Sequence, residues 1–514
     1  MKGLPAETDF VVLGAGVAGL RAAIELAAAG RVLVLAKKDA TPPDPQNSPD
    51  ALSDEDEITL HLQDTLTSGD GLCNAAAAKT LVEEGIERIE ELVSWAGSHG
   101  TKLVFSQEGA RSHNRVLHAQ GESTGAEILR ALHAKVHSLK HITIAPFVFT
   151  TRLFTDGRVT GVSVLDDKGM PHDIACSAVL LATGGMGQIS RNTTNPDTAT
   201  ADGLALAHRA GAEVGDLEFV QFHPTVLYLK KAPRFLLPES LRAEGGVLRN
   251  IELDRFMGKY HPMGELAPRD LMARAIIHEM EVSRAKDPFV YLDLTHLHAT
   301  KVQKRFPRIY GTCMRHNVDI TEDVIPVRPA AHFAIGGVRT DLDGKTNVPG
   351  LYAAGEVANN GVHGANRLPS NSLLEALVYG ARAGKSMREE LKTAKSSSGG
   401  TQAVYSNGPV DTGTEEMIGQ IQDLMWKELG IVRMRPGMQT AVDSLLAMAP
   451  KLAHPKTRRA HEAANLHLAA LLVARSALAR EESRGAHYRI DYPDHDDRKF
   501  LKHSIVRGEK VIFV

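Results

Sequence analysis

The sequence predicts an α/β fold in three parts: a parallel sheet flanked by helices, an α+β domain inserted into that sheet, and a C-terminal helical bundle. Three observations predict it. An apolar strand at 9–13 leads through a glycine-rich turn into an alanine-rich helix, and buried-strand patterns return at 178–185 and 351–354. The segment at about 228–328 differs from both, with mixed charge and scattered prolines. Near the end, three segments with helical periodicity follow a stretch rich in Ser and Gly.

These changes of pattern predict the domain boundaries. Turn signals at 156–157 and 167–169 predict a meander of hairpins inserted within the first domain, and the residues at 221–225 follow a short predicted strand. The inserted α+β domain contains a predicted helix at 269–282, and the segment at 332–337 marks the return to the first domain. Insertions at the carboxyl ends of parallel strands lie over the ligand crevice, so we expect the inserted domain to cap the site. The predicted units are a sheet domain at 1–227 and 335–394, a capping domain at 228–334, a linker at 395–413 and a helical domain at 414–514.

Length and composition exclude several classes of protein. A chain of 514 residues is too long for a single hydrophobic core. The net charge of −3 provides no global basic field, so we expect no nucleic-acid partner, and no apolar run is long enough to cross a membrane. The three cysteines have neither metal-like nor disulfide-like spacing, and the N-terminal sequence is a poor signal peptide. We therefore expect a cytoplasmic protein.

The glycine-rich turn has the spacing of a dinucleotide-binding, Rossmann-like site. Gly14, Gly16 and Gly19 follow a predicted strand and open a helix, and a second strand is predicted at 32–35. The glycines permit a tight turn, close approach of a diphosphate and close helix packing. Lys37 stands near the place where an acidic residue usually binds the ribose hydroxyls of NAD, which favours FAD as the dinucleotide.

The segment at 355–380 combines groups that suit a cofactor and a small anion. Glu356 follows an apolar strand, where its carboxylate would reach sugar hydroxyls. Arg367 carries a planar, permanently charged fork that suits a carboxylate. Asn371 and Ser372 belong to a run of helix N-cap residues, beside which backbone N–H groups would face an electron-rich ring or an anion. The alternative is an ordinary strand-loop-helix connection with a solvated arginine.

Six motifs, taken together and in order, are more specific than any one of them. They are residues 14–19, Ala-Thr-Gly-Gly at 182–185, Gln-Phe-His-Pro-Thr at 221–225, Glu-Leu-Ala-Pro-Arg-Asp at 265–270, His-Phe-Ala-Ile-Gly-Gly at 332–337, and residues 361–375. Over nearly the whole chain the sequence resembles the flavoprotein family of succinate dehydrogenases, fumarate reductases and L-aspartate oxidases. The stretches at 108–118 and 482–493 resemble the aspartate oxidase branch.

This resemblance implies oxidation of L-aspartate to iminoaspartate by noncovalently bound FAD, which oxygen or fumarate reoxidises. In bacteria this is the first step of de novo NAD biosynthesis, and the product passes to quinolinate synthase. Two carboxylates on one small substrate need separate clusters of cationic or donor groups, since a buried carboxylate without partners is unstable. We expect Arg367 with His332 to hold one carboxylate, and His223 with Arg269 to hold the other.

The resemblance also implies the roles of individual residues. Arg269 matches the proton-transfer residue of the family; because a free guanidinium is a very poor base, electrostatic alignment of the substrate is the alternative. Glu108 is the candidate to orient the amine. Asp202 is either a cofactor contact or a helix cap. The substrate contacts that we expect are His223, His332, Arg367, Gln221 and Arg269. The expected cofactor contacts are Gly14, Gly16, Ala18, Gly19, Lys37, Thr183, Gly184, Asp202, Glu356, Asn371, Ser372 and Leu373.

Two departures from the family pattern leave other functions open. A proline-rich segment at 40–53 replaces the loop that wraps the flavin in the family. Pro238 stands where aspartate oxidases often have a Thr or Ser hydroxyl near a substrate carboxylate. The alternatives are a soluble fumarate reductase or another dicarboxylate oxidoreductase, and a flavin-poor relative retained as a binding or scaffold protein.

Overall fold

The structure is a computed structural model that describes residues 3–39, 55–97, 103–106, 116–119, 124–230, 232, 234–392 and 412–514. Three features of the predictions lie outside these residues: residues 108–115, which include Glu108 and most of the stretch that resembles the aspartate oxidase branch, the segment at 40–53, and nearly all of the predicted linker at 395–413. No helix in the described part of the chain combines the length and the apolar character needed to cross a membrane.

The described residues contain 19 strands and 14 α-helices, which are numbered in chain order. The strands are β1 (Phe10–Leu13), β2 (Val32–Ala36), β3 (Leu103–Ser106), β4 (Val116–Ala119), β5 (Ile142–Pro146), β6 (Phe149–Thr155), β7 (Val159–Leu165), β8 (Pro171–Ala175), β9 (Ala178–Leu181), β10 (Val214–Gly215), β11 (Val220–Leu227), β12 (Val247–Arg249), β13 (Val290–Asp293), β14 (Ile325–Ala334), β15 (Gly337–Arg339), β16 (Leu351–Ala353), β17 (Ala358–Asn359), β18 (Ser504–Arg507) and β19 (Lys510–Phe513). The α-helices are α1 (Val17–Leu26), α2 (Glu55–Ser68), α3 (Ala75–Gly97), α4 (Thr124–His137), α5 (Asp202–Arg209), α6 (Glu239–Ala243), α7 (Arg269–Val282), α8 (Ala299–Arg305), α9 (Pro307–Met314), α10 (Asn371–Met387), α11 (Thr412–Glu428), α12 (Arg435–Met448), α13 (Arg458–Ala479) and α14 (Asp497–Phe500).

The central sheet is parallel and has the strand order β16-β9-β1-β2-β5. Its register aligns Leu13 with Leu35 on one side and with Leu181 on the other, so these strands end at one edge. Every residue of β1, β2, β9 and β16 is buried, as continuous apolar runs predict for strands covered on both faces. The Rossmann-like sheet predicted from the sequence is confirmed.

Helices α1 and α10 pack against each other through small residues. A Cβ atom added to Gly380 would lie 2.7 Å from the carbonyl oxygen of Ala18, and one added to Gly384 would lie 2.7 Å from that of Ala22. Only glycine permits this approach of two helix backbones. The crossing fixes α10, whose first turn carries Ser372, against the helix that opens the glycine-rich turn.

An antiparallel meander of β6, β7 and β8 is inserted between the parallel strands β5 and β9. The sequence predicted it from turn signals at 156–157 and 167–169. Gly157 and Gly169 adopt φ angles of +65° and +77°, a left-handed conformation that hairpin turns require and glycine adopts freely.

Residues 220–334, here called the capping region, are built on an antiparallel sheet with the order β11-β14-β13-β12. Helix α7, predicted over 269–282, has those bounds and packs against β11 and β14. One expectation was wrong: the motif at 221–225 lies inside β11 rather than after a strand, because β11 continues to Leu227 by pairing with β14. The chain therefore enters this sheet before residue 228, where we predicted the capping domain to begin.

The C-terminal bundle contains the three predicted helices, α11, α12 and α13. The chain does not remain helical to its end, however. β18 and β19 form a hairpin around Gly508, which adopts a φ of +59°, and β18 pairs with β10, aligning Val506 with Val214. β10 pairs with β15 on one edge, and the hairpin supplies the strand that pairs with its other edge.

A buried ionic cluster joins this hairpin to the first domain. Arg480 donates to Glu218 Oε1 at 2.7 Å and to Glu482 Oε1 at 2.9 Å, and all three side chains are fully buried. Arg480 also donates to the carbonyl oxygens of Phe500 at 2.7 Å and Lys502 at 2.8 Å. Since each charge is paired and hydrogen-bonded, removing one partner leaves others buried and uncompensated.

We expect Arg480→Met to lower the free energy of unfolding by about 3–5 kcal/mol, because it leaves the buried Glu218 without its cation, whereas Glu482 keeps a second cation in Arg484 at 2.9 Å. Thermal or denaturant unfolding of the FAD-saturated protein measures this. Arg507→Met is the matched control: Arg507 lies on the same hairpin, is 60% exposed, and pairs with Glu213 at 3.0 Å. Its loss should change stability by less than about 1 kcal/mol. Equal losses in the two variants would contradict the role of the buried cluster.

Candidate active site

Two helix N-termini lie near the carboxyl edge of the parallel sheet. Neither α1 nor α10 has a side-chain cap or an acidic residue in its first turn. The backbone N–H groups of both first turns therefore retain their partial positive charge, which suits a phosphate or another electron-rich group. The predicted caps of α10 are not formed, since Ser370 adopts a φ of +71° and its hydroxyl does not cap the helix.

The glycine-rich turn has the shape that a dinucleotide needs. A Cβ atom on Gly14 would lie 2.1 Å from the carbonyl oxygen of Ala182, and one on Gly19 would lie 2.0 Å from that of Gly14. By contrast, no atom of the described residues lies within 4 Å of the corresponding positions at Gly16 and Gly184. Two glycines thus permit close backbone packing, and two face open space where a diphosphate can approach the backbone. These residues fit FAD.

Lys37 and Asp202 were both predicted as cofactor contacts, and the structure places their charged groups on each other. Lys37 Nζ lies 2.6 Å from Asp202 Oδ2 and 3.1 Å from Glu462 of α13. Asn465, also on α13, donates to Asp202 Oδ1 at 2.8 Å. Because the C-terminal bundle supplies two of the partners, this corner of the first domain is completed by α13.

The remaining predicted cofactor residues differ in how far their side chains are already engaged. Thr183 Oγ1 is buried without a hydrogen-bond partner among the described residues. Glu356 Oε1 accepts from the Ala334 N–H at 3.0 Å, and burial raises the pKa of Glu356 to about 7. The side-chain amide of Asn371 hydrogen-bonds to two residues of α2, His61 Nε2 at 2.7 Å and Thr65 Oγ1 at 2.9 Å. Ala18 is covered by the crossing of α1 and α10, and Leu373 lies in the first turn of α10.

A cavity of about 640 Å³ lies where the capping region, α2, the loop before α10 and the C-terminal segment meet. Gln221, Arg269 and Arg367, all predicted substrate contacts, line it. Gln221 Oε1 accepts from Arg269 Nη1 at 3.2 Å and from Arg367 Nη2 at 3.0 Å. The two arginines, which are 98 positions apart in the sequence (367 − 269), therefore converge on one carboxamide oxygen.

Arg367 is a buried cation whose hydrogen-bonding capacity is only partly used. It is 1% exposed, and its charge forms no ion pair within the described residues. Besides Gln221 it donates to Ser372 Oγ at 3.2 Å, while Nε is buried without a partner in the described part of the chain. Desolvation, reinforced by the charge of Arg269, lowers the pKa of Arg367 to about 9. Such a group is stabilised by an incoming anion.

His223 and His332 lie beside each other, with ring centroids 5.6 Å apart, but they are not among the residues that line the cavity. Desolvation holds the pKa of both imidazoles well below the usual value, and the charge of Arg269 adds to this effect. Both rings are therefore neutral at pH 7. The Nε2 atoms of both are buried and have no partner among the described groups, as expected of positions that await a ligand.

Sequence reasoning missed two charged residues of the site, Glu239 and Arg242. Glu239 Oε1 accepts from Arg269 Nε at 2.8 Å and lies 3.5 Å from Arg242, and both residues line the cavity. Arg242 is buried and donates to Thr225 Oγ1 at 2.7 Å. The sequence signal that could have found them is their spacing, because residues three positions apart on α6 place both side chains on one helix face.

The fold and the site define a flavoprotein of the fumarate reductase type. Residues 9–373 match the FAD binding domain family, and residues 419–512 match the fumarate reductase flavoprotein C-terminal family. The FrdA chain of E. coli quinol fumarate reductase is similar in structure, with a TM-score of 0.88 and 29% identity over 99% of this chain and 96% of that one. A Mycobacterium smegmatis Sdh1 chain has a TM-score of 0.86 and 30% identity over 99% and 94% of the two chains.

Sequence comparison narrows this class. The chain is 40% identical to L-aspartate oxidase of Streptomyces coelicolor over 97% of its own length and 91% of that protein. It is 39% identical to chloroplastic L-aspartate oxidase 2-a of Nicotiana tabacum over 98% of its own length and 84% of that protein. The chain belongs to the L-aspartate oxidase family. It is an oxidoreductase, and its cofactor is FAD.

We expect Gly16→Ala to fold normally but to bind FAD at least roughly 10-fold more weakly, since its methyl group would fill the space through which a diphosphate approaches. Titration of the apoprotein with FAD, followed by flavin fluorescence, measures the dissociation constant. Gly258→Ala is the control. Gly258 lies in the capping region, and a Cβ atom there also has no atom of the described residues within 4 Å. Unchanged FAD affinity in Gly16→Ala would contradict the placement of the diphosphate.

Proposed function

We propose that this chain oxidises L-aspartate to iminoaspartate, with Arg269 and Arg367 holding the substrate's carboxylates. The observation that carries the proposal is the convergence of both guanidinium groups on Gln221 in one cavity. The cavity also contains Arg242, whereas the one carboxylate in direct contact with these arginines is that of Glu239, among the described residues. Around Gln221 the cations therefore outnumber the carboxylates that contact them, which favours an anionic ligand at this end of the cavity.

The guanidinium groups suit this ligand in geometry as well as in charge. A carboxylate accepts two parallel N–H bonds from one guanidinium, and two arginines fixed by a common acceptor offer two such forks at a set separation. His223 and His332 do not line the cavity, but the charge of Arg269 acts on both imidazoles and their Nε2 atoms have no partner among the described residues, so we propose that they contribute hydrogen bonds to the bound substrate without adding charge. Binding at both ends orients the carbon between the carboxylates, which is how positioning lowers a reaction barrier.

Oxidation of the substrate removes a hydride from the α-carbon and a proton from the nitrogen, and leaves a C=N bond. FAD, when bound, supplies the acceptor of the hydride. The chain must handle the proton. Arg269 alone is too weak a base, but Glu239 lies 2.8 Å from its Nε and provides a basic partner. We propose that protons exchange through this pair, and that Glu108, outside the described residues, orients the amine.

The product suggests what happens next. An imine hydrolyses in water, so an enzyme that uses iminoaspartate must take it up promptly. We propose that oxygen or fumarate reoxidises the flavin and that the product passes to quinolinate synthase, as the first step of NAD biosynthesis. The similarity to L-aspartate oxidases over nearly the whole chain supports this placement.

A second candidate is a fumarate reductase or another dicarboxylate oxidoreductase that does not use amines. One observation favours it: the structural similarity to the E. coli quinol fumarate reductase chain. The arginine pair by itself would hold succinate or fumarate as well as aspartate.

Anaerobic mixing of the oxidised, FAD-loaded protein with each substrate distinguishes the two. We expect L-aspartate to bleach the flavin absorbance promptly and succinate to leave it unchanged, because the nitrogen lone pair assists hydride departure only from the amine. The control is D-aspartate, which has the same charges but the opposite configuration at the α-carbon. Bleaching by succinate and not by L-aspartate would overturn the proposal in favour of the second candidate.

We expect Arg367→Lys to reduce kcat/KM for L-aspartate by roughly 100-fold or more, because an ammonium group cannot reproduce a two-point contact with a carboxylate. The flavin spectrum should remain that of the unmodified protein. Arg255→Lys serves as the control, since Arg255 is 59% exposed and pairs with Glu265 at 2.6 Å. Steady-state kinetics that show equal losses in both variants would argue that Arg367 acts through stability rather than through the substrate.

A further inference from the structure

Arg367 lies over the face of an aromatic ring that neither the motif analysis nor the proposed chemistry uses. Its guanidinium carbon is 4.5 Å from the centroid of the Phe333 ring. Phe333 is 7% exposed and belongs to a small buried cluster with Phe219, Leu72 and Ile335. An aromatic face attracts a cation through its quadrupole, and this attraction is strongest where water is excluded.

The strand register explains why the ring reaches the guanidinium. Phe333 on β14 is directly opposite Gln221 on β11. Side chains of directly opposed residues in an antiparallel pair project to the same face of the sheet. The ring and the carboxamide therefore approach Arg367 from neighbouring strands, the ring at the guanidinium carbon and the carboxamide oxygen at Nη2.

The Phe333 ring also contacts a second side chain, that of His363. His363 packs edge-on against Phe333, with centroids 5.3 Å apart and planes at 84°. His363 Nε2 lies 2.9 Å from Glu375 on α10, and Glu375 Oε1 accepts from Asn360 Nδ2 at 3.1 Å. A chain of defined contacts thus runs from the first turns of α10, through the imidazole and the phenyl ring, to the arginine.

We propose that Phe333 is a positioning residue that fixes the plane of the Arg367 guanidinium for a substrate carboxylate. The inference rests on the proposed role of Arg367 in the site. The ring stabilises the cation without neutralising it, whereas a carboxylate partner in its place would compete with the substrate. One terminal nitrogen donates to Ser372 and the other to Gln221, and the Nε–H and the second hydrogen on each terminal nitrogen have no partner in the part of the chain that the structure describes.

The test is ligand binding by Phe333→Leu, which keeps an apolar side chain but removes the π face. Fumarate is titrated into the oxidised, FAD-loaded protein and the change in flavin absorbance gives the dissociation constant. We expect affinity to fall roughly 10-fold, with a matching rise in KM for L-aspartate and a smaller change in kcat. Phe333→Tyr keeps the ring and should restore affinity to near that of the unmodified protein.

Phe219→Leu is the matched control. Phe219 lies in the same buried cluster, and its ring lies 4.9 Å from the guanidinium carbon of Arg480, an arginine of the structural ion cluster. Its replacement should lower thermal stability but leave fumarate affinity unchanged. If Phe333→Leu fails to retain FAD, Phe333→Met supplies a flexible side chain of similar volume for the same titration.

Unchanged fumarate affinity in Phe333→Leu or Phe333→Met would overturn the inference, and so would an equal loss in Phe219→Leu. The readout also separates this inference from the proposed function. Fumarate binding to the oxidised protein does not depend on which substrate is oxidised, so failure to react with L-aspartate would leave the positioning role testable. Conversely, if the unmodified protein turns over L-aspartate normally and Phe333→Leu binds fumarate with unchanged affinity, only the positioning role is removed.

Discussion

The site depends on one shared hydrogen-bond acceptor, the carboxamide oxygen of Gln221. It accepts from Arg269 at 3.2 Å and from Arg367 at 3.0 Å, and so holds two like charges beside one cavity. Such an arrangement is unfavourable without an anion, because both guanidinium groups are withdrawn from water and repel each other. Glu239 offsets part of this on the side of Arg269, and the Phe333 ring stabilises Arg367 without cancelling its charge.

The fold explains how these groups come together. Gln221 and Phe333 are opposite residues of β11 and β14, Arg269 opens α7, and Arg367 lies in the loop that leads into α10. The packing of α10 on α1 requires glycines at 380 and 384, and it brings the anion site close to the glycine-rich turn. The C-terminal segment lines the same cavity and is held in place by the buried Arg480 cluster. The first domain, the capping region and the C-terminal segment therefore all contribute residues to one site.

Local patterns predicted much of this architecture. The parallel strands, the meander, α7 and the three C-terminal helices were each marked by apolar periodicity or by turn residues nearby in the sequence. The hairpin of β18 and β19 was missed, because it is stabilised by pairing with β10, almost 300 positions earlier. Lys37 was predicted as a cofactor contact, and Asp202 as either a cofactor contact or a helix cap. The two side chains form an ion pair that α13 completes, and a sequence motif does not record such partners.

By itself, the sequence determined the Rossmann-like sheet and the glycine-rich turn, and it marked two arginines and two histidines as candidates for the site, because strand hydrophobicity, glycine spacing and motif order are local properties. Only the tertiary structure decided which of these charged groups meet. The convergence of Arg269 and Arg367, the stacking of Phe333, and the parts played by Glu239 and Arg242 arise from long-range strand register and desolvation. Residue type alone encodes neither distance nor burial, and those two quantities determine whether a charge is paired or left to bind a substrate.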